Sequence, residues 1–348
     1  MRTVMRAARG LLIGTAAIYA TAVGVLGVLW TIEPARTWWL ALSNIFALYL
    51  FAPLLLIAPA ALLSRSKWLR GAAALSIVVF LALFGARLIP PASRPAVGMK
   101  LRVMTLNQLD SNDRLDDLIR MIRAQDADVV AIQELSEPVA AAIRGRLSAE
   151  YPYQFLAAGN EDYGLGLLSR YPLRSAVRTE QFPGQRALVD IGGEQIALIN
   201  VHLPGPQIET RRLRQFRPVK VVLDYDTSER AHAVQGLLRA ISEAEGPLIV
   251  LGDFNTSDRE PPYDELAARL HDAYRETAWG FGFTFPNDNH LVRLTVPFPV
   301  VRIDYVWSNG GVLPAAARVI CESGGSDHCA VAADLRIEDT RRTLNAER

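Results

Sequence analysis

The stretch Pro247–Ser257, PLIVLGDFNTS, decides how the chain is read. Leu248, Ile249, Val250 and Leu251 form an apolar run with the length of a buried strand, and the run stops at Gly252, ahead of Asp253 and Asn255. Residues two apart at a strand end point to the same side. The strand therefore delivers a carboxylate and a carboxamide to one rim, where both can converge on a metal ion, a water molecule or a phosphate. Gly252 lets the backbone come close. An Asx-rich turn after an ordinary strand would account for this segment standing alone. The segments around it repeat the pattern.

Upstream, LRVMTLN (Leu101–Asn107) reads as a strand ending in polar residues and DVVAIQEL (Asp128–Leu135) as a buried strand ending near Glu134. Between them Arg114–Gln125 has the period of an amphipathic helix, and a second helix is expected over Pro138–Leu147. YQFLA, GLGLLSRYPL, RALVDI and EQIALINVHL are four further strand candidates, the last ending at Asn200 and His202. Helices are expected over Ala231–Ala244 and Pro262–Glu276. Downstream, RIDYVWS (Arg302–Ser308) and a segment around Ala316–Cys321 read as strands, and GGSDHCAVAADL as a polar turn running into a last strand. Asn107, Glu134, His202, Asp253, Asn255, Asp304, Asp327 and His328 thus gather at strand ends. Clustered carboxylates are costly without a cation nearby. Hard oxygen ligands of this kind favour Mg²⁺ or Mn²⁺ over zinc, and the histidines are available for proton transfer.

The first 98 residues are of a different kind. Leu11–Trp30, Trp38–Leu63 and Gly71–Ile89 are apolar stretches near the roughly 20 residues needed to span hydrocarbon, so three transmembrane helices (11–30, 38–63 and 71–89) are expected. Arg2, Arg6 and Arg9 precede the first, and Arg65, Lys67 and Arg70 lie between the second and third. By the positive-inside rule these segments are cytoplasmic, which puts the C-terminal domain on the far side, in the periplasm if the membrane is a bacterial inner membrane. Trp30, Trp38, Trp39 and Trp68 suit the interface. Pro90, Pro91 and Pro95 with Gly98 make a stiff linker. Residues 1–98 form an anchor in the lipid bilayer, 99–336 the globular domain and 337–348 a charged tail.

Bulk charge says little, since 37 basic residues balance 36 acidic ones. Arg211, Arg212, Arg214, Arg217 and Lys220 nevertheless crowd one insert, Pro204–Glu229, read either as a solvated loop or as a patch for phosphates or anionic lipid. The two cysteines, Cys321 and Cys329, exclude a disulfide-dense scaffold and a cysteine-rich zinc site. On the far side of the membrane they would meet an oxidising compartment. A bridge between them would hold the loop of Asp327 and His328; two reduced, buried thiols are the alternative. Nothing in the sequence implies a protein partner.

Seven motifs in order resemble the endonuclease/exonuclease/phosphatase family of metal-dependent phosphoesterases: TLN (Thr105–Asn107), QE (Gln133–Glu134), GLGLLSRYPL (Gly164–Leu173), NVHL (Asn200–Leu203), GDFN (Gly252–Asn255), RIDYV (Arg302–Val306) and SDH (Ser326–His328). The resemblance implies an α/β (α+β) fold, a four-layer αββα sandwich with two packed mixed β-sheets, and a site at one edge. It makes Glu134 the principal Mg²⁺ ligand, with Asn107 and Asp327 beside it and Mn²⁺ as the alternative ion. It gives Asp253 and Asn255 the attacking water and a phosphate oxygen. His328, oriented by Asp304, would act on the phosphoryl group or water, and His202 would bind phosphate or assist the leaving oxygen. The substrate would be a phosphodiester or phosphomonoester, in nucleic acid or in a phospholipid or inositol phosphate head group. A catalytically silent member binding an anionic ligand or a partner at the membrane is the competing expectation. Gln108 and Cys329 depart from the family pattern, and Arg230 and Gln235 do not match its arginine and glutamine spaced three apart, which leaves substrate contacts open.

Overall fold

The computed structural model describes residues 2–92, 98–159, 164–212, 220–287, 289–291, 294–296 and 298–338. It divides into two compact units, Met1–Ile89 with Arg259–Pro261, and Pro90–Asp258 with Pro262–Arg348.

The first unit is helical. Arg2–Ile32 and Lys67–Phe84 are long helices, and the segments Ala7–Ile32 and Lys67–Arg87 are each long and apolar enough to cross a membrane. The expected middle span is not one helix. It is divided into Trp38–Ile45, Ala47–Leu50 and Leu54–Leu63, with an 80° bend at Phe46 between Trp38–Ile45 and Ala47–Leu63, so three spans are counted only if that bent pair is taken as one. A second, smaller interruption is the turn at Phe51–Pro53, where Pro53 has no N–H to extend the backbone ladder.

The second unit contains two six-stranded sheets. The first has the order β15 (Val312–Ile320), β16 (Ala330–Ile337), β1 (Met99–Asn107), β2 (Val129–Gln133), β4 (Leu165–Ser169), β3 (Tyr153–Ala157). The second has the order β11 (His271–Asp272), β14 (Asp304–Ser308), β10 (Leu248–Asp253), β7 (Glu194–His202), β6 (Gly184–Ile191), β5 (Leu173–Arg178). Both are mixed, because β1 and β2 run parallel, as do β7 and β10, while the other pairs are antiparallel.

Side-chain alternation along each strand builds the layers. Val103, Val129 and Leu167 of the first sheet meet Val189, Leu198, Ile249 and Leu251 of the second in a common core. Their neighbours Met104, Leu106, Val130 and Ile132 face the opposite way, onto helices Leu115–Gln125 and Glu137–Arg146. Leu118, Ile119, Met121 and Ile122 supply the buried face of the first of these helices. On the far side of the second sheet, Val201, Val250 and Trp307 pack on helix Ser228–Glu243. The result is the expected four-layer αββα sandwich. Emptying a fully buried position such as Leu118 to Ala would cost about 2–5 kcal/mol.

Two expectations change. The basic insert is an antiparallel hairpin of β8 (Gln207–Arg212) and β9 (Lys220–Asp226), because Ile208, Thr210, Val221, Val222 and Tyr225 supply β-formers on either side of the turn. Arg214 and Arg217 lie outside the described residues, as do the side chains of Arg212 and Lys220. The helix expected over Pro262–Glu276 is two short helices, Pro261–Ala267 and Ala273–Thr277, separated by β11. Asp272 causes the restart by capping the second helix, its carboxylate accepting from the Arg275 N–H at 3.0 Å. β12 (Asn289–Leu291) and β13 (Leu294–Val296) form a further small hairpin.

Candidate functional site

Strand register brings the polar ends together. Asp253 closes β10 with His202 beside it on parallel β7 and Asp304 opposite it on antiparallel β14. Asn107 closes β1 beside Gln133 on β2, and Glu134 follows at once. The two sheets are joined at this end by polar contacts within the core. Gln133 donates to the Asn200 carboxamide oxygen at 2.7 Å, and Asn200 donates to the Ile132 and Gly166 carbonyls at 3.2 and 3.1 Å. Both side chains are buried, so each unmade bond would leave a costly orphan. The network fixes one sheet against the other where the site residues emerge.

Glu134, Asp253 and Asn107 form the centre. The Asn107 amide donates to Glu134 Oε1 at 2.7 Å and to Asp253 Oδ2 at 3.1 Å. Glu134 Oε2 accepts from the Asp110 N–H at 3.0 Å. Glu134 sits at φ 55°, a left-handed conformation uncommon for a non-glycine residue, and the Gln108 side chain donates to its carbonyl. This turns the carboxylate out of the strand line. Gly252 at φ 148° is needed because a Cβ there would lie 2.0 Å from the Val201 carbonyl oxygen. Asn255, also left-handed at φ 48°, donates its amide to the Leu203 carbonyl at 2.9 Å, and its backbone N–H bonds Asp253 Oδ1 at 2.8 Å.

The histidines stand on either side of Asp253. His328 Nδ1 is 3.0 Å from Asp304 Oδ2, and its Nε2 is 3.9 Å from Asp253 Oδ2. His202 Nε2 lies 3.6 Å from the same Asp253 oxygen and 3.8 Å from Glu134 Oε1. These longer spacings exceed a direct hydrogen bond, and one shared oxygen atom can bridge them. Burial works to lower the pKa of His328, but Asp304 and Asp253 outweigh it and raise it to about 10. Burial first, and then the charge of Asp304, push the Asp253 carboxyl up to about 6.

A cleft of about 420 Å³ opens over this arrangement, lined by Glu134, His202, Asp253, Asn255, Asp327 and His328 among others. Residues 104–328 match the Endonuclease/Exonuclease/phosphatase family. The chain belongs to that family. Its members are phosphoesterases dependent on a divalent metal, so the chain is a hydrolase acting on phosphate ester bonds. Among curated proteins none matches the chain. Among solved structures it is similar to a conserved protein of unknown function from Enterococcus faecalis V583, at 17% identity and TM-score 0.53 over 68% of this chain and 100% of that one. It is also similar to the endonuclease/exonuclease/phosphatase from Bacteroides vulgatus (19%, TM-score 0.52, 69% and 100%). A third is D. rerio TDP2 complexed with a single-strand DNA product (20%, TM-score 0.51, 68% and 98%). At such identities the likeness is one of fold.

Six of the eight residues singled out in the sequence line the cleft of this family member, and Asn107 and Asp304 stand behind it as hydrogen-bond partners. An oxygen-rich set suits a hard divalent cation: two carboxylate oxygens share the single Asn107 amide, and Asp304 Oδ1 is buried with no hydrogen-bond partner. Asp253, Asp304 and His328 alone also bring ligating atoms within 4.8 Å of one another. The Asp304 contact already occupies His328 Nδ1, and Glu134 is more exposed than Asp253 or Asp304.

Some motif residues serve the scaffold. Arg302 of RIDYV is buried and clasps the Asp272 carboxylate at 2.7 and 3.1 Å, with its guanidinium 4.6 Å from the Tyr305 ring centre. Removing one partner of that pair would cost about 3–5 kcal/mol. For other contributors the sequence does not show the role: Gln108 and Arg230 stand out only as departures from the family pattern, and Phe285 not at all. Gln108 holds the Glu134 backbone, Arg230 donates to the Asn255 carbonyl, and Phe285 lies 4.7 Å from the His328 ring.

Proposed function

We propose that the chain is a membrane-anchored, Mg²⁺-dependent phosphoesterase whose domain, residues 99–336, works outside the cytoplasm, with residues 1–98 as its anchor. The observation that carries the reading is the pairing, within one cleft, of a buried Asp304–His328 contact at 3.0 Å with an open carboxylate at Glu134. Glu134, with Asn107 and Asp327 beside it, would hold the cation, which supplies neutralisation of the non-bridging phosphate oxygens and a stabilised leaving oxygen.

The chain's own groups do the rest. Asp253, flanked by both histidines, orients the attacking water and accepts its proton. His328 is held protonated by Asp304 and donates a hydrogen bond to a phosphoryl oxygen, so negative charge developing there meets a fixed donor in a water-poor setting. His202 faces the same region from β7 and binds phosphate or assists the leaving oxygen. Asn255 offers its side chain to a phosphate oxygen. The substrate is a phosphodiester or phosphomonoester of nucleic acid, phospholipid or inositol phosphate.

Two independent features support the placement: the charge bias around the apolar helices, and the Cys321–Cys329 disulfide, a bond that persists in oxidising compartments. The full-length protein in detergent, assayed with Mg²⁺ and with chelator against plasmid DNA, RNA, phospholipids and inositol phosphates, tests the reading. Turnover of at least one class that stops on chelation is expected; no turnover of any class, or turnover indifferent to chelator, would reject it.

A further inference from the structure

Asp327 and His328 lie on the connection between β15 and β16, and a loop that carries such groups must hold them to within a fraction of an ångström. Two devices hold this one. The Cys321–Cys329 disulfide closes it at its base, with Cys329 next in the chain to His328. The second device is Asn287. Its side-chain nitrogen donates to the Cys321 carbonyl at 2.8 Å, the Ser323 hydroxyl at 2.9 Å and the Ser326 carbonyl at 3.3 Å, and its backbone N–H donates to the Asp327 carbonyl at 2.6 Å. A carboxamide has only two hydrogens, so the three acceptors share them and the amide becomes the hub of the loop. Ser326 then links the loop to the metal-side strand, its hydroxyl donating to the Asn107 carbonyl at 2.5 Å and accepting from the His328 N–H at 2.9 Å.

Neither device reaches the cleft. Asn287 and Cys321 line a neighbouring groove of about 610 Å³ that shares Asp327 with the cleft, and Cys329 is buried. Their influence on the reaction therefore passes through the loop. We propose that Asn287 and the Cys321–Cys329 disulfide are mutually redundant positioning groups for Asp327 and His328: either keeps the loop in place, and loss of both releases it. The proposal rests on the role given to His328 above. Its chemical logic is that one fastening depends on oxidation and the other does not. Cys321 is exposed, so a reductant can open the covalent fastening while the amide retains the geometry.

The test compares four full-length proteins in detergent: wild type, Asn287→Ala, Cys321→Ser/Cys329→Ser, and the triple variant. The probe is bis(p-nitrophenyl) phosphate with saturating Mg²⁺. Each fastening removed alone should lower kcat by less than about tenfold, and removal of both by on the order of 10²-fold or more, with KM unchanged throughout. The loss beyond the product of the separate losses is the signature of redundancy. Losses that only multiply, or a kcat that stays at the wild-type value in all variants, overturn the proposal. A second measurement covers failure of the triple variant to fold. Reduced with a phosphine, Asn287→Ala should lose on the order of 10²-fold in kcat where reduced wild type loses less than about tenfold; equal losses in the two overturn the proposal. His328→Ala at the wild-type rate would remove the role of His328 itself, whereas an inactive His328→Ala beside fully active loop variants removes the fastening alone.

Discussion

The two sides of the cleft use the same kinds of side chain to opposite ends. On one side His328 and Asp304 expose 6% and 0% of their side chains, and on the other His202 and Glu134 expose 10% and 14%. The buried pair has its charge state set by the protein, since no solvent competes with the Asp304 contact. The partly exposed pair faces whatever enters the cleft. In the proposed reading burial separates the proton of His328 from a cation at Glu134, although one oxygen of Asp253 lies within 4 Å of both histidines.

The comparison is broken most sharply at His328. Replacing it by Ala should lower kcat by about 10²- to 10⁴-fold, the usual worth of a positioned acid or base, and adding Asp304→Asn should cost little more. Near wild-type turnover in His328→Ala, surviving chelation as well, would end the assignment. On the open side, Glu134→Gln should first shift the Mg²⁺ requirement upward by on the order of tenfold or more, with kcat at saturating metal less affected. An unchanged Mg²⁺ titration would move the ion elsewhere, with Asp253, Asp304 and His328 as the next candidate set.

A smaller effect separates the two sides in stability. Asp253 and His328 both bind a proton more tightly in the folded chain than in the unfolded one. Their contribution is therefore fullest at low pH, and it is lost as pH rises from about 4 to about 6 for Asp253 and from 6.5 to about 10 for His328. In chelator, the melting temperature should fall between pH 7 and pH 9, and His328→Asn should flatten that fall. A wild-type melting temperature that is constant or rises over this interval contradicts the buried, protonated imidazole. Smallest of all is the change expected at Arg211, an exposed side chain on the β8–β9 hairpin. Arg211→Glu should raise KM for a polyanionic substrate by less than about threefold at low salt, with no difference at high salt. Kinetics indistinguishable from wild type at low salt would make this side chain a solvated one.

The strands and the rim were legible because apolar runs ending in Asn, Glu, His or Asp combine a period with a stop. All eight rim residues, from Asn107 to His328, could be picked out that way, and six of them line the cleft. Function and scaffold could not be told apart within motifs: Asn200 and Arg302 sit in NVHL and RIDYV, yet one joins the sheets and the other clasps Asp272. Pattern alone shows residue type, whereas the partner comes from a distant segment. The same holds for Asn287, whose acceptors lie 34 to 39 residues away. GLGLLSRYPL read as one strand, but it supplies β4 and β5 in different sheets. The chain crosses between layers at Arg170–Pro172, and nothing in the hydrophobic period marks a change of layer. The bridge between Cys321 and Cys329, left open in the sequence, is formed. Eight positions of separation are compatible with contact or with none until the loop's path is known.

The neighbour relations of β1 have a consequence for how the protein is made. β1 is the first strand of its sheet to be synthesised, and its two flanking strands are β2, which follows closely, and β16, where Ile337 faces Met99 across roughly 240 positions of sequence. Glu134 and its asparagine partner are therefore on hand early, while His328 arrives with the last strand. At a synthesis rate of about 5–20 residues per second, the first-made half of the sheet waits on the order of tens of seconds with one edge of β1 unpaired. During that interval the nascent chain carries Asn107 and Glu134 without Asp327 and His328, and the polar rim is complete only once the last strand is made.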